Sequence, residues 1–502
     1  MNSQELYNKF VEKKDAFRNY IKETKLSNKA DIYNIINPTL VSNPYVTNFP
    51  KEFFLGQTQG NKGFYLLKGF SKFYLKMFTK LVIYFFLFII FKIFYRKKSS
   101  ISKDYILFDI FLLVKNTIKD NNFSDTYFKS VYPVLDDENI KYAFIVRLYG
   151  IGLNLVDFIK VLKVTNKSRH NFIYEFELLR IRDFFSLSKL IFFYPFKVMR
   201  LLKKEKIKED YIFNINIVKD IASVQFDAFT RYIFGKNFAT YYNDMDIYSW
   251  SEFQDIERSF NLGIRENSDS IQLIGCQFYL NFETYFSIYL QDEDHKLNTA
   301  YEKVLVNGKY YVQQRKNIKY ELGVSLRYNN VFSFEIHNKE ANNVLVLGSY
   351  ILRDTENMLR NLSSIDNLLF KNHPVLDIKK LGTLVDKVTL VDDNIYTLFN
   401  KCSIVIGISS GTLVEAVACG KSVIVVASEE YLTANPLVYH GKGKIWDIAF
   451  SKDDVKIMYN KLKTFRENNF NEIKSISMWY RDNFFVEPSK SNILKIFKKE
   501  EK

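Results

Sequence analysis

A chain of 502 residues is longer than a single hydrophobic core supports and points to two or three domains. Hydrophobic residues at 47% and charged residues at 25% exclude a long disordered or fibrous chain, and 8 Pro and 18 Gly leave little material for flexible linkers. The formal charge of +15 asks for an anionic partner, which leaves nucleic acid, an anionic membrane surface or a phosphorylated substrate.

The chain opens on "MNSQELYNKFVEKKDAF", a polar helical pattern unlike a signal peptide. From Leu81 to Phe91, "LVIYFFLFIIF" is uninterrupted apolar sequence, closed by Lys92 and then Arg96-Lys97-Lys98. It is shorter than the roughly 20 residues a spanning helix needs. Upstream, Lys68, Lys72, Lys76 and Lys80 recur every four residues among Phe, Tyr and Leu. A basic stripe beside a bulky apolar face fits a helix lying in a membrane interface. "LIFFYPFKVMRLLKKEKIK" (Leu190 to Lys208) repeats that composition. The alternative for each segment is a buried core helix with solvated lysines. The expectation is a helical extension over 1–100 with an interfacial membrane segment at 81–95.

Tyr105 to Val114, Tyr142 to Leu148 and Ser270 to Tyr279 read as strands, which makes residues 101–341 an α/β domain. The "DMD" at Asp244 to Asp246 is read as the cap of a following helix, not a metal motif. Cys276, Cys402 and Cys419 show neither zinc nor disulfide spacing, which favours a reducing compartment. From Asn342 onward, short β-branched runs alternate with short helical ones. Apolar strands without polar alternation indicate a parallel sheet covered on both faces, a doubly wound domain over 342–502. Residues 329–342 are the expected hinge.

Two turns in that last domain have the make-up of anion sites. In "IVIGISSGTLVEAVACGKSVIVV" (Ile404 to Val426), Ser409, Ser410, Gly411 and Thr412 stand between a strand and a helix. Ligands of doubly wound sheets bind beyond the strands' carboxyl ends, and here backbone N–H groups and three hydroxyls suit a phosphate. Ordinary N-capping is the alternative. Glu415, one turn into an otherwise small and apolar helix, is expected to face the ligand. In "LLFKNHPVLD" (Leu368 to Asp377), His373 sits in a rigid turn at the same edge, where a protonated imidazole would add positive charge.

"KNHP", followed about forty residues on by "SSGTLVEAVACGKSVIVV", resembles the donor domain of GT-B glycosyltransferases, nearest to those building bacterial surface carbohydrate and capsule. "YSWSEFQDIERSFNLGIRENSDSIQLIGCQFY" (Tyr248 to Tyr279) and "VLVNGKYYVQQRK" (Val304 to Lys316) also look like segments of such enzymes. The resemblance runs from about Tyr105 to Phe450. It implies two Rossmann-like domains facing a cleft, with Ser409, Ser410, Gly411, Thr412 and His373 on the donor's phosphates and Glu415 on its ribose. A His-Pro turn paired with a Ser-Ser turn resembles transferases of CMP- or CDP-linked donors, with UDP the other option. The chain lacks the acidic motif of many bacterial sialyltransferases. It also carries no DxD motif at a plausible strand end, so neither a metal nor a cofactor is implied.

For such a transfer Glu252 is the first candidate base and Asp255 the second, because a carboxylate must take the acceptor's proton. Read as one helix, Glu252, Asp255 and Arg258 share a face. Trp250 then offers a wall for a sugar ring, and Arg258 and Arg265 would neutralise an acidic acceptor. A surface helix with i,i+3 charge pairs is the alternative. The implied partners are a nucleotide-activated sugar, a glycan or glycolipid acceptor and the cytoplasmic membrane's inner face, with no nucleic acid. A polyol-phosphate transferase, a sugar-nucleotide epimerase or a non-catalytic glycan-assembly module would use the same fold.

Overall fold

A computed structural model describes residues 3–26, 31–58, 62–97, 101–149, 154–337 and 341–498. Two parallel sheets organise it. The first contains β1 (Ile106–Leu113), β2 (Tyr142–Tyr149), β3 (Phe172–Tyr174), β4 (Asp246–Trp250), β5 (Gln272–Gln277), β6 (Lys303–Val306) and β7 (Lys319–Leu322). The second contains β8 (Asn343–Leu347), β9 (Leu368–Lys371), β10 (Thr389–Leu390), β11 (Cys402–Gly407), β12 (Ser422–Val426) and β13 (Trp446–Ala449). Their orders are β3-β2-β1-β4-β5-β6-β7 and β10-β9-β8-β11-β12-β13. Each order reverses beside its own first strand, at the β1–β4 and β8–β11 pairs, and these are the switch points where doubly wound sheets open a crevice. The central strands are buried on both faces, as in Val344–Leu347 and Cys402–Gly407, which is why their sequences show no polar alternation. The fold is therefore two Rossmann-like domains with an N-terminal helical extension.

Helices cover the sheets and carry the segments that line the space between them. The principal ones are α1 (Ser3–Leu26), α2 (Lys62–Phe94), α3 (Ile181–Val198), α4 (Phe226–Tyr241), α5 (Asp255–Arg265), α6 (Thr412–Ala418), α7 (Phe470–Phe484) and α8 (Lys490–Phe497). The apolar run at 81–91 is the second half of α2, a single helix of 33 residues. By length and composition alone, its Tyr65–Phe94 portion is long enough to cross a membrane. It lies along the first domain beside α3, tied by the Tyr74 hydroxyl to the Phe192 carbonyl at 2.8 Å and by Phe85 and Phe88 against Phe184.

Two expectations change. Asp246 of "DMD" opens strand β4, so the motif caps no helix. α8, expected with the second domain, packs on the first sheet, where Phe497 meets Phe108 at 5.5 Å and Tyr248 at 4.8 Å between ring centroids. The extension also reaches both domains. Tyr7 of α1 packs on Phe450 with the rings tilted, whereas Lys14 and Lys25 pair with Glu283 and Asp294 at 2.6 and 2.8 Å. Of the expected hinge, residues 338–340 lie outside the described set.

Candidate functional site

The segments that follow β5 and β11 at the carboxyl ends of the two sheets meet, with Gly411 of the second domain against Leu280 of the first. On the second-domain side, β11 runs into Ile408-Ser409-Ser410-Gly411 before α6 begins. Ser409 holds a left-handed φ of 49°, which turns the chain out of the strand. Ser410 Oγ accepts from Thr412 N at 3.3 Å, and the whole turn is half-buried. Gly411 is pressed against the first domain, since a Cβ there would lie 3.2 Å from Leu280 Cβ. Two strands over, His373 follows β9. Its Nδ1 accepts from Val375 N at 3.3 Å, so the proton sits on Nε2, and its ring lies 5.8 Å from that of Tyr350. Burial lowers its pKa, so the imidazole is neutral near pH 7 and the expected extra charge is absent.

Glu415 corrects another expectation. It is buried, Tyr396 donates to its Oε2 at 2.6 Å, and Thr412 bonds it as well. In this structure the carboxylate is thus held inside the protein by Tyr396 and not exposed as the sequence led one to expect.

On the first-domain side, β4 ends at Trp250 and a four-residue loop precedes α5. Phe253 in that loop adopts a left-handed φ of 52°, strained for a bulky residue, and is fully buried. Arg258 holds it there. The Arg258 guanidinium lies 3.8 Å over the Phe253 ring, Nε donates to the Phe253 carbonyl at 3.0 Å, and Nη1 pairs with Asp294 at 2.7 Å. The strained turn throws Glu252 outward into the cleft while Asp255 starts α5 on the inside. α5 in turn is seated by a glycine crossing with α4, because a Cβ on Gly263 would lie 2.3 Å from the Tyr232 carbonyl oxygen.

Glu252 is exposed, and Tyr127, Tyr279 and Tyr285 stand close enough to feel its charge. That crowding and the charge of Glu257 push its carboxyl up to about 7, against the pull of Arg147 and Arg327. Asp255 is buried and also pushed up to about 7, by burial and by Glu257, with its carboxyl engaged by the Ile256 and Gln225 backbone. Of the two candidate carboxylates, Glu252 alone meets the cleft.

The three expected acceptor residues do not meet it. Trp250 is 1% exposed and lies beneath Tyr127, the rings stacked 4.0 Å apart. Arg258 is the buried clamp on the Phe253 turn. Arg265 sits at the far end of α5, where it bonds Glu302 and the Ser268 and Ile271 carbonyls. One helix face cannot unite these residues, because the helix starts only at Asp255.

Residues without a sequence motif complete the cleft. Tyr45 of the N-terminal extension lies beside Ser409 and between Tyr285 and Tyr350, one from each domain. Its ring lies 4.8 Å from Tyr285, 5.5 Å from Tyr350 and 6.4 Å from Tyr431. Arg327, exposed at the cleft, acts electrostatically on both Glu252 and Glu415. Among the described residues no group of three or more His, Cys, Asp or Glu side chains is placed to hold a metal ion.

No protein-family model matches the chain, and no curated protein matches it. Among solved structures it is similar to Acinetobacter baumannii MurG at 9% identity and a TM-score of 0.42, with 79% of this chain and 100% of that chain covered. It is similar to Neisseria meningitidis UDP-GlcNAc 2-epimerase bound to UDP-GlcNAc at 9% identity and 0.42, covering 78% and 98%. The S. aureus MnaA–UDP structure aligns at 10% identity and 0.42, covering 79% and 96%.

Proposed function

We propose that this chain is a glycosyltransferase that moves a sugar from a nucleotide-activated donor onto a surface glycan or lipid-linked acceptor. The observation that carries this reading is the nearness of a hydroxyl-bearing turn, Ser409 to Thr412, and an exposed carboxylate, Glu252, linked through Tyr45 and Tyr285. The turn's N–H groups and hydroxyls, with His373 Nε2–H, bind the donor's phosphates. The resemblance of the His-Pro and Ser-Ser turns favours a CMP- or CDP-linked donor over a UDP-linked one. Donor entry moves the Tyr45 hydroxyl off Ser409. Ionised Glu252 takes the proton of an acceptor hydroxyl as that oxygen bonds to the anomeric carbon and the bond to the donor phosphate breaks. The leaving phosphate keeps the electron pair, held by the turn and by Arg327. Tyr127 supplies the ring face first assigned to Trp250, and Arg258 acts only by positioning the Glu252 loop.

A thermal-shift panel of CMP, CDP, UDP, GDP and ADP tests the donor half. The matching nucleotide at about 100 times its Kd adds roughly 2.7 kcal/mol of stability. A flat response to all five removes the donor site.

The same reading assigns the enzyme to the inner face of the cytoplasmic membrane. Its support is the apolar stripe that α2 and α3 present outward, with Leu75 75%, Phe86 52% and Phe185 74% exposed, and the lysines beside it. Leu75→Ser with Phe86→Ser weakens binding to vesicles containing phosphatidylglycerol at least tenfold, given about 1.5–3 kcal/mol per buried apolar side chain. Phe88 is unsuited to this test because it is buried against Phe184. Equal sedimentation of variant and parent refutes the docking face.

A further inference from the structure

Behind α2, opposite its exposed stripe, a cavity of about 540 Å³ opens between the helix and the carboxyl edge of the first sheet. Such a volume is in the roughly 300–1,000 Å³ range of small-molecule sites. Lys80, Ile83, Tyr84 and Leu87 line it from α2, at the i, i+3, i+4, i+7 spacing of one helix face. The exposed residues Val82, Phe86 and Ile93 lie on the other face of the same helix. Phe111, Val146 and Leu148 form the opposite wall, and Lys80 and Tyr149, both exposed, stand at the mouth.

Most of the charged groups in the wall pair with one another, although Tyr84 Oη and Arg231 Nε and Nη1 have no hydrogen-bond partner among the described residues and Asp227 is exposed. Asp109 holds Arg147 at 3.2 Å and Arg231 at 2.8 Å, and Glu257 takes Arg147 Nη1 at 2.8 Å. Glu175 is half-buried and lies beside Tyr84 and Thr230. The larger part of the remaining lining, with Ile83, Leu87, Phe111, Val146, Leu148 and Ile256, is apolar and selects an apolar chain. The deep end shares its wall with the Glu252 loop. Arg147 donates through Nη2 to the Trp250 carbonyl at 2.7 Å, two residues before Glu252, and Ile256 of α5 also lines the cavity.

We propose that this cavity holds the apolar chain of a lipid-linked acceptor, so that its hydroxyl-bearing head reaches Glu252 from the membrane side of the domain. The acceptor role rests on the transferase reading, and chain binding itself does not. The occupant is an uncharged chain whose length affects affinity, by up to about fourfold per buried methylene.

The test measures binding of dodecyl maltoside below its micellar concentration, with octyl maltoside and maltose as shorter-chain and chain-free controls. Wild type is expected to bind the dodecyl compound more than tenfold more tightly than the octyl one and to ignore maltose. Leu148→Trp and Ile83→Trp fill the cavity from opposite walls and each costs at least tenfold in that affinity, with the nucleotide shift retained. Leu148→Ala, which enlarges the space, keeps the chain and serves should the tryptophans misfold. Equal binding by filled variants and wild type means the detergent sits on the outer face of α2, and the proposal falls. It falls also if wild type shows no dependence on chain length. Chain binding lost in the filled variants of a protein that answers no nucleotide confirms a lipid pocket and overturns its acceptor role along with the transferase reading.

Discussion

Ser410→Asp removes most of the nucleotide-induced stabilisation and leaves the unliganded melting temperature in place. Ser410 Oγ accepts from Thr412 N, and a carboxylate at the same position accepts from the same N–H, so the turn keeps its internal bond. The added negative charge stands where the donor's phosphate binds. Loss of a charged hydrogen bond costs roughly 1.5–3 kcal/mol, a 10- to 100-fold weakening. At a ligand concentration that stabilises the parent by roughly 2.7 kcal/mol, a hundredfold weaker variant gains only roughly 0.4 kcal/mol. An unchanged nucleotide shift in Ser410→Asp identifies the turn as structural. Gly411 is the worse position for this experiment. Its missing Cβ faces Leu280 at 3.2 Å, so any side chain there strains the interface between domains before a ligand is involved.

Glu252→Gln lowers the rate of transfer by roughly 10²–10⁴-fold with little change in fold or nucleotide affinity. The parent's rate should also rise with pH through about 7. A base must be ionised to take a proton, and crowding and Glu257 hold this carboxyl up to about 7, so the active form is lost as pH falls below that value. Glutamine removes from the residual rate the limb of the profile that Glu252 produces. Asp255→Asn, inside the protein at the start of α5, should leave the limb in place. A Glu252→Gln enzyme that keeps parental turnover and its pH dependence overturns the assignment of the base.

The second sheet was legible because its strands are buried on both faces and end on small residues. The apolar runs around Val344–Leu347 and Cys402–Gly407, with glycine or serine following, have few other uses. The Glu252 loop was not. A bulky residue seldom adopts a left-handed conformation, so nothing in "SWSEFQDIERS" announces that Phe253 breaks the helical period and sends Glu252 and Asp255 in different directions. Arg258 resembled a ligand-binding cation because its partner, Asp294, lies 36 residues away and pairs with it only in the folded chain. Trp250 was misread for a related reason. Its ring is covered by Tyr127, from a loop 123 positions earlier in the sequence. Tyr45 and Arg327 carried no signal, since each is a single residue that gains meaning from the cleft around it.

The elements that cross between the domains also decide how the protein melts. α1 spans from Phe450 to Asp294, and α7 covers α6 before its Phe484 stacks on Tyr310 at 4.7 Å. There the chain passes so close to Gly308 that a Cβ would lie 2.3 Å from the Phe484 carbonyl carbon. Neither sheet owns a complete set of covering helices. Loss of either half strips apolar surface from the other, so heat denatures the two as one calorimetric unit rather than in two steps. Neither half, cut from the chain, retains the burial that would hold it folded alone. The freedom left to the cleft is then local, confined to the Tyr45 segment and the loops at the strand ends. Exchange of backbone amide hydrogens is accordingly fastest there and slowest in β1, β4, β8 and β11, the strands at the two switch points.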